Sequence, residues 1–308
     1  MSALPRLVVV LGPTASGKSA LGIHLAEKLG GEILVCDSTQ VYRHFDIGTA
    51  KVPAAEQHGI AHHLVDLVEP TEIFTAGDYR RRALEALDDL RARKILPILT
   101  AGTGLYLRAL LEGLAVAPQR SEEIRTRLRQ KAEKHGPAHL HRALARLDPE
   151  SAARIPARDT QKIIRAIELR LLTGKPVGEI HRSGCDPLQG YQIIKLGLLP
   201  PRDALYARIE ARTAAMLAAG WLDEVRHLVA SGVPLDAKPF QFIGYSEWRE
   251  HLAGRLSEKD AVQQIQQATR RFAKRQLTWF RKESAVRWLP GFGDTPEISA
   301  GALKMISR

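Results

Sequence analysis

The chain has 308 residues and carries 45 Lys+Arg against 34 Asp+Glu, a net charge of +11 with histidine neutral. Its 44% hydrophobic and 26% charged content excludes wholesale disorder and supplies a substantial core, in one large domain or two smaller ones. Two cysteines, Cys36 and Cys185, cannot by themselves build a disulfide scaffold or a four-ligand zinc site, and no apolar run reaches the roughly 18 residues of a membrane helix. Free thiols point to a reducing compartment, so a cytoplasmic protein without a membrane partner is expected. No zipper or broad apolar face is visible, and a monomer is expected.

The elements read in chain order as follows. Leu7 to Leu11 is a short buried strand, and a helix runs from Lys18 to about Leu29. Glu32 to Cys36 is a second strand, Ala76 to Lys94 a helix, and Ile95 to Leu99 a third strand. Strand, glycine loop, helix, strand, helix, strand is the order of an α/β fold with a parallel sheet flanked by helices. From Pro118 only helices follow, at 121–135, 137–147 and 159–173, before a strand returns at 191–198. An all-helical insertion domain, 118–190, inside a core of 1–117 and 191–308 accounts for this order. Three more helices are expected at 202–231, 246–253 and 257–283, and 290–308 reads as a loosely held tail.

Charge follows the same division. Residues 1–117 hold 12 basic and 13 acidic side chains, whereas 118–190 and 191–308 each carry a net +6. A polyanionic partner would be held by the later two-thirds.

Gly12-Pro13-Thr14-Ala15-Ser16-Gly17-Lys18-Ser19 matches G-x-x-x-x-G-K-[ST] at every fixed position, after a strand and opening a helix. Such a P-loop turns backbone N–H groups around a polyphosphate, adds the helix dipole, and uses Lys18 on phosphate oxygens and the Ser19 hydroxyl on Mg²⁺. The third strand ends in Thr100-Ala101-Gly102-Thr103, without the acid that P-loop NTPases place there. Only the second strand ends in one, Asp37. It can serve as an outer-sphere Mg²⁺ ligand, as a general base for an acceptor, or as a cap on the following turn. Ser38, Thr39 and Gln40 follow it, and Gln40 has the paired donor and acceptor that read a nucleobase edge.

Taken together, several segments resemble the tRNA dimethylallyltransferase (tRNA isopentenyltransferase) family. They are 12–19, Asp-Ser-Thr-Gln-Val-Tyr (37–42), Asp-Ile-Gly-Thr-Ala-Lys (46–51), His-His-Leu-Val-Asp (62–66) and Gly-Thr-Gly-Leu-Tyr-Leu-Arg-Ala-Leu-Leu (102–111). Asp-Thr-Gln-Lys-Ile-Ile-Arg-Ala-Ile-Glu (159–168), Ile-Gly-Tyr (243–245) and Thr-Arg-Arg-Phe-Ala-Lys-Arg-Gln-Leu-Thr-Trp-Phe-Arg (269–281) continue in the family's order. The absence of cysteine from the tail matches bacterial-type members.

The resemblance implies transfer of a dimethylallyl group from dimethylallyl diphosphate to N6 of the adenosine 3′ of a tRNA anticodon, with Mg²⁺. The P-loop would then hold the prenyl diphosphate, with Thr14 and Ser16 as further donors, Asp37 as the base, Thr103 lining the reaction channel and Arg212 facing the diphosphate. It implies contacts to the tRNA anticodon stem-loop from Asp37, Ser38, Thr39, Gln40, Thr103 and Arg125. Further contacts are implied from Gln161, Lys162, Ile163, Ile164 and Arg165, and from Gln241, Phe242, Ile243, Gly244, Tyr245 and Ser246. A flipped adenine in a partly single-stranded loop suits such a site. A small-molecule kinase, a prenyltransferase of free adenine nucleotides and a non-catalytic RNA-binding ATPase are the competing readings. The first and second leave the basic later segments unexplained, and the third leaves Lys18, Ser19 and Asp37 without use.

Overall fold

The structure, a computed structural model, describes residues 4–115, 117–182 and 185–307. The chain begins with β1 (Arg6–Leu11), α1 (Lys18–Leu29), β2 (Gly31–Cys36), β3 (His62–His63), α2 (Ala76–Ala92), β4 (Leu96–Ala101) and α3 (Gly104–Leu111). Helices α4 (Glu122–His135), α5 (Pro137–Leu147), α6 (Pro149–Arg154), α7 (Thr160–Thr173) and α8 (Val177–Arg182) follow. The remainder is β5 (Gln192–Leu198), α9 (Arg202–Ala218), α10 (Trp221–Ala230), α11 (Tyr245–Leu252), α12 (Glu258–Phe280), β6 (Val286–Leu289) and α13 (Pro296–Ser307). Two compact units result: described residues up to Leu110 and from Gln189 form one, and those of Leu111–Leu188 form the other.

The first unit is built on a parallel six-stranded sheet in the order β3-β2-β4-β1-β5-β6. Leu7 to Leu11 are all buried, because a parallel strand is covered by helices on both faces. On one face Val8, Val10, Ile33, Ile98, Leu196 and Leu198 pack with Leu21 and Leu25 of α1 and with Ile298, Ala302 and Ile306 of α13. A second cluster joins Val41, Tyr42 and Phe45 to Trp221, Phe240, Tyr245 and Trp248, away from the sheet.

The tail expected to be loose is ordered. Val286 to Leu289 pair in register with Lys195 to Leu198, and residues 296–307 form a helix. Ile298, Ala302 and Ile306 stand at i, i+4 and i+8, a narrow stripe that buries against α1. Burial of the two isoleucines contributes about 1.5–3 kcal/mol each. Gly291, Gly293 and the nearby prolines hide this stripe from a search for periodicity; Arg308 lies outside the described residues. The single helix expected at 202–231 is two, because Gly220 takes φ 92°, a left-handed conformation that ends α9 and redirects α10. His62 and His63 form the edge strand: His63 Nε2 lies 2.6 Å from Glu32 Oε2, and His62 Nδ1 lies 2.9 Å from Ile60 O.

The second unit is helical in all its regular elements among the described residues. Leu128, Leu140, Leu144, Ile163, Ile164, Ile167 and Val177 form its core. Helices α4, α6 and α7 start at side-chain caps: Ser121 accepts from Ile124 N, Asp148 from Ser151 N, and Asp159 from Lys162 N.

Candidate active site

Strands β1, β2 and β4 end level, with Leu11 and Cys36 both registered on Ala101. Gly12, Asp37 and Gly102 therefore stand together at the carboxyl edge of the sheet, where open α/β folds take their ligands.

From Gly12 the chain wraps around the start of α1. Ala15 and Gly17 take φ of 62° and 85°, left-handed conformations that turn successive N–H groups inward. Helix α1 has no side-chain cap and no acid in its first turn, so its amides and dipole are left for an anion. Glycine is required at 17 for a second reason: a β-carbon there would fall 2.8 Å from Gly293 N. Gly293 N–H donates to Ser16 O at 2.9 Å, which seats the C-terminal segment on the loop. Ser16 Oγ is fully buried with no hydrogen-bond partner among the described residues. Gly12 and Pro13 are buried beneath the loop, and Pro13 O accepts from Lys18 Nζ at 2.8 Å.

Two cations face one acid here. Burial pushes the Lys18 ammonium down to a pKa of about 8, opposed by the nearby Asp37 and reinforced by Arg212. Arg212, on α9, is lowered by burial and raised by Asp37, and its Nη1 lies 3.5 Å from Thr14 Oγ1. Arg208, one turn earlier, pairs with Asp294 and lies over the Phe292 ring.

The carboxylate of Asp37 has two different oxygens. Oδ1 accepts from Thr39 N at 2.9 Å and from Thr39 Oγ1 at 2.7 Å, so it caps the turn that follows β2. Oδ2 takes no hydrogen bond from a described residue and lies 2.6 Å from where a β-carbon on Gly102 would stand. Gly102 is thus the residue that leaves room for the carboxylate. The turn is braced from behind by Thr103, whose Oγ1 accepts from Ser38 N at 2.9 Å and donates to Ser38 Oγ at 3.2 Å. In this structure the Thr103 hydroxyl thus bonds to the turn that carries Asp37.

A cavity of about 860 Å³ opens over these groups. Thr14, Ala15, Ser16, Gly17, Lys18, Ser19, Asp37, Ser38, Thr39, Gln40 and Arg212 line it, with Gln241, Phe242 and Ile243 on another wall. Gln40 does not present a paired donor and acceptor: its Nε2 donates to Thr49 O and Ala50 O at 3.0 and 3.2 Å, leaving only Oε1 for a ligand. Gly244 and Tyr245 are core residues instead. Gly244 packs on the Trp221 ring, and Tyr245 is fully buried with its hydroxyl donating to Glu224 at 2.6 Å. Ser246 Oγ donates to Glu247 beside them. Sequence reasoning missed Arg208 and Gln276 as cavity residues; Gln276 lay inside the 269–281 family segment, to which no site role was given for it.

In the helical unit, Gln161 and Lys162 are exposed, whereas the Ile163 and Ile164 side chains are buried in the core. Arg125 and Arg165 converge on Glu168, whose side chain is fully buried. Arg125 donates through Nε and Nη2 to both carboxylate oxygens at 2.9 and 2.8 Å, and Arg165 Nη1 donates at 2.6 Å. Burial alone would raise the Glu168 pKa, but these arginines and Ser121 N–H outweigh it and hold it at about 2. The carboxyl therefore stabilises the fold above its ordinary value of 4.5, and that contribution is lost as pH falls towards about 2. Glu168→Gln leaves two arginines short of a counter-charge and is expected to cost about 3 kcal/mol in denaturant unfolding at neutral pH. The difference from wild type should shrink as the pH is lowered through this window.

The sheet order, the loop at the end of β1 and the facing cations define a phosphate-loop α/β protein. A family model described as IPP transferase matches residues 40–283. The chain is 50% identical to the tRNA dimethylallyltransferase of Solibacter usitatus (strain Ellin6076), over 98% of each chain. It is equally 50% identical to that of Koribacter versatilis (strain Ellin345), again over 98% of each. Among solved structures it is similar to the full-length tRNA isopentenylpyrophosphate transferase of Bacillus halodurans, with TM-score 0.71, 35% identity, and coverage of 98% and 97%. It is also similar to a eukaryotic dimethylallyltransferase described as acting on tRNA, with TM-score 0.83, 26% identity, and coverage of 98% of this chain and 78% of that one. The chain belongs to the IPP transferase family.

Proposed function

We propose that the protein transfers a dimethylallyl group from dimethylallyl diphosphate to N6 of the adenosine 3′ of the anticodon in tRNA. The observation that carries this reading is the single carboxylate oxygen, Asp37 Oδ2, left unbonded beside a loop with two partly buried cations. A diphosphate held by the loop amides, Lys18, Arg212 and the Ser16 hydroxyl has its leaving oxygen beside two cations. The adenine N6 lone pair forms the new bond to the prenyl C1 as the C1–O bond breaks and its electron pair leaves with diphosphate. The N6 proton passes to Asp37 Oδ2. Names of the relatives, which specify dimethylallyl transfer and tRNA, support the choice of donor and acceptor.

No cluster of three or more His, Cys, Asp or Glu suited to a metal cage occurs among the described residues. The exposed Ser19 hydroxyl at the loop is the kind of lone hard donor that suits Mg²⁺, which keeps waters and takes most of its oxygens from phosphate. When bound there, Mg²⁺ neutralises charge on the leaving diphosphate. The exposed Gln161 and Lys162, and the basic residues of α12, are the remaining candidates for RNA contact.

The test is to incubate the protein with Mg²⁺, dimethylallyl diphosphate and unmodified tRNA with adenosine after the anticodon. Nucleoside mass spectrometry should detect adenosine heavier by one C5H8 unit, and Lys18→Ala should slow its formation by about 10²–10³-fold. ATP turnover without this product would favour the kinase or ATPase reading instead.

A further inference from the structure

Helix α12 has an outer and an inner polar face. Arg271, Lys274 and Arg275 are exposed, while Gln276 next to them is 6% exposed and points into the cavity wall. The Gln276 amide makes two bonds across the molecule. Oε1 accepts from Thr14 N at 2.7 Å, and Nε2 donates to Gly102 O at 2.8 Å. An N–H facing one end and a carbonyl facing the other fix the amide's orientation without ambiguity.

These partners lie 262 and 174 residues away in the chain and belong to different loops. Thr14 is in the diphosphate loop. Gly102 is the residue whose missing side chain makes room for Asp37: a β-carbon there would lie 2.6 Å from Asp37 Oδ2 and 3.8 Å from Gln276 Nε2. One side chain therefore spans the loop assigned to the donor and the loop that backs the base.

We propose that Gln276 is a positioning residue for the transfer, holding Thr14 and Gly102 together so that the diphosphate loop and Asp37 keep the separation in-line displacement needs. This rests on the prenyl-transfer reading above. The residue touches neither reacting atom; it acts through Thr14 N–H and Gly102 O. Misplacement of reacting groups by about 1 Å costs on the order of 10²-fold in rate, so a clamp at this point is worth that much even without contact to substrate.

Two variants separate positioning from mere packing. Gln276→Leu keeps the volume and removes both bonds; kcat should fall about 10²-fold, with a smaller rise in KM for the prenyl diphosphate. Gln276→Glu offers a pH-dependent rescue. An ionised carboxylate accepts from Thr14 N–H but repels Gly102 O, whereas the protonated acid accepts from one and donates to the other, as the amide does. Burial raises the pKa of such a carboxyl, so the ratio of variant to wild-type kcat should climb as pH falls. With both proteins verified as fully folded at each pH, a packing role alone does not move that ratio. Amide exchange at Thr14, followed in the free protein, should accelerate in Gln276→Leu and supplies a readout that needs no reaction.

Wild-type kcat in the Leu variant, or a flat pH ratio in the Glu variant, overturns the proposal. If the Leu variant fails to fold, the Glu variant decides. Unchanged Thr14 exchange removes the clamp itself. Faster exchange with no prenyl transfer by the wild-type protein leaves the clamp standing and removes the reading of the reaction.

Discussion

Asp37→Asn should lower turnover by about 10²–10⁴-fold, the loss that follows removal of a general base, and should leave tRNA affinity nearly unchanged. Asparagine is the informative substitution. Its Oδ1 can still accept from Thr39 N and Thr39 Oγ1, so the turn after β2 survives, and only the Oδ2 position loses its basicity. Asp37→Ala removes the cap and the base together and confounds the two. Single-turnover kinetics with pre-bound tRNA, beside a filter-binding titration, checks both parts. Turnover near wild type in Asp37→Asn would take Asp37 out of the proton transfer and leave it as a cap.

The second large effect concerns Lys18. Its pKa is lowered from 10.5 to about 8, first by burial. A buried ammonium poised there is charged at neutral pH and neutral in alkaline solution, whereas an ordinary lysine keeps its proton two units further. Diphosphate affinity should therefore decline as pH rises above about 8. The bound anion raises the pKa again, so binding above that pH takes up a proton. Calorimetry in buffers of different ionisation enthalpy reads this uptake directly. Lys18→Met should abolish the pH dependence and cost about 10²–10³-fold in kcat. The linkage has a counterpart in stability. Between about 8 and 10.5 the unfolded chain binds more protons at Lys18 than the folded one, so the free protein gains stability with rising pH there.

The α/β order was legible because buried parallel strands are short apolar runs and the glycine loop sits between one of them and a helix. β1, β2, β4 and β5 are all of this kind. β3 has two residues and no pattern to find, and β6 lies among residues whose apolar character is interrupted by Glu283 and Arg287. At the site, residue type was informative where the chemistry is intrinsic, as in Lys18 and Asp37. It does not say which side chains of a continuous family segment face outward. Residues 161–165 lie on a helix, so Gln161 and Lys162 face solvent while Ile163 and Ile164 turn to the core. The arginines 125 and 165 look like phosphate ligands until Glu168, their shared counter-ion, is located in space. Gln276 was invisible for the opposite reason: its two partners come from the other end of the chain, and no local pattern announces a long-range bond.

The contact between Gly293 and the loop at Ser16 and Gly17 has a consequence for how the protein is made. The loop is residues 12–19, yet its outer wall is residue 293 and its inner tie is residue 276. Chains are synthesised from the N-terminus and domains complete as units, so the anion-binding loop is made well before the residues that surround it. A nascent or C-terminally clipped chain has the motif without the site. Binding competence therefore waits until residues 276 and 293 have joined the fold.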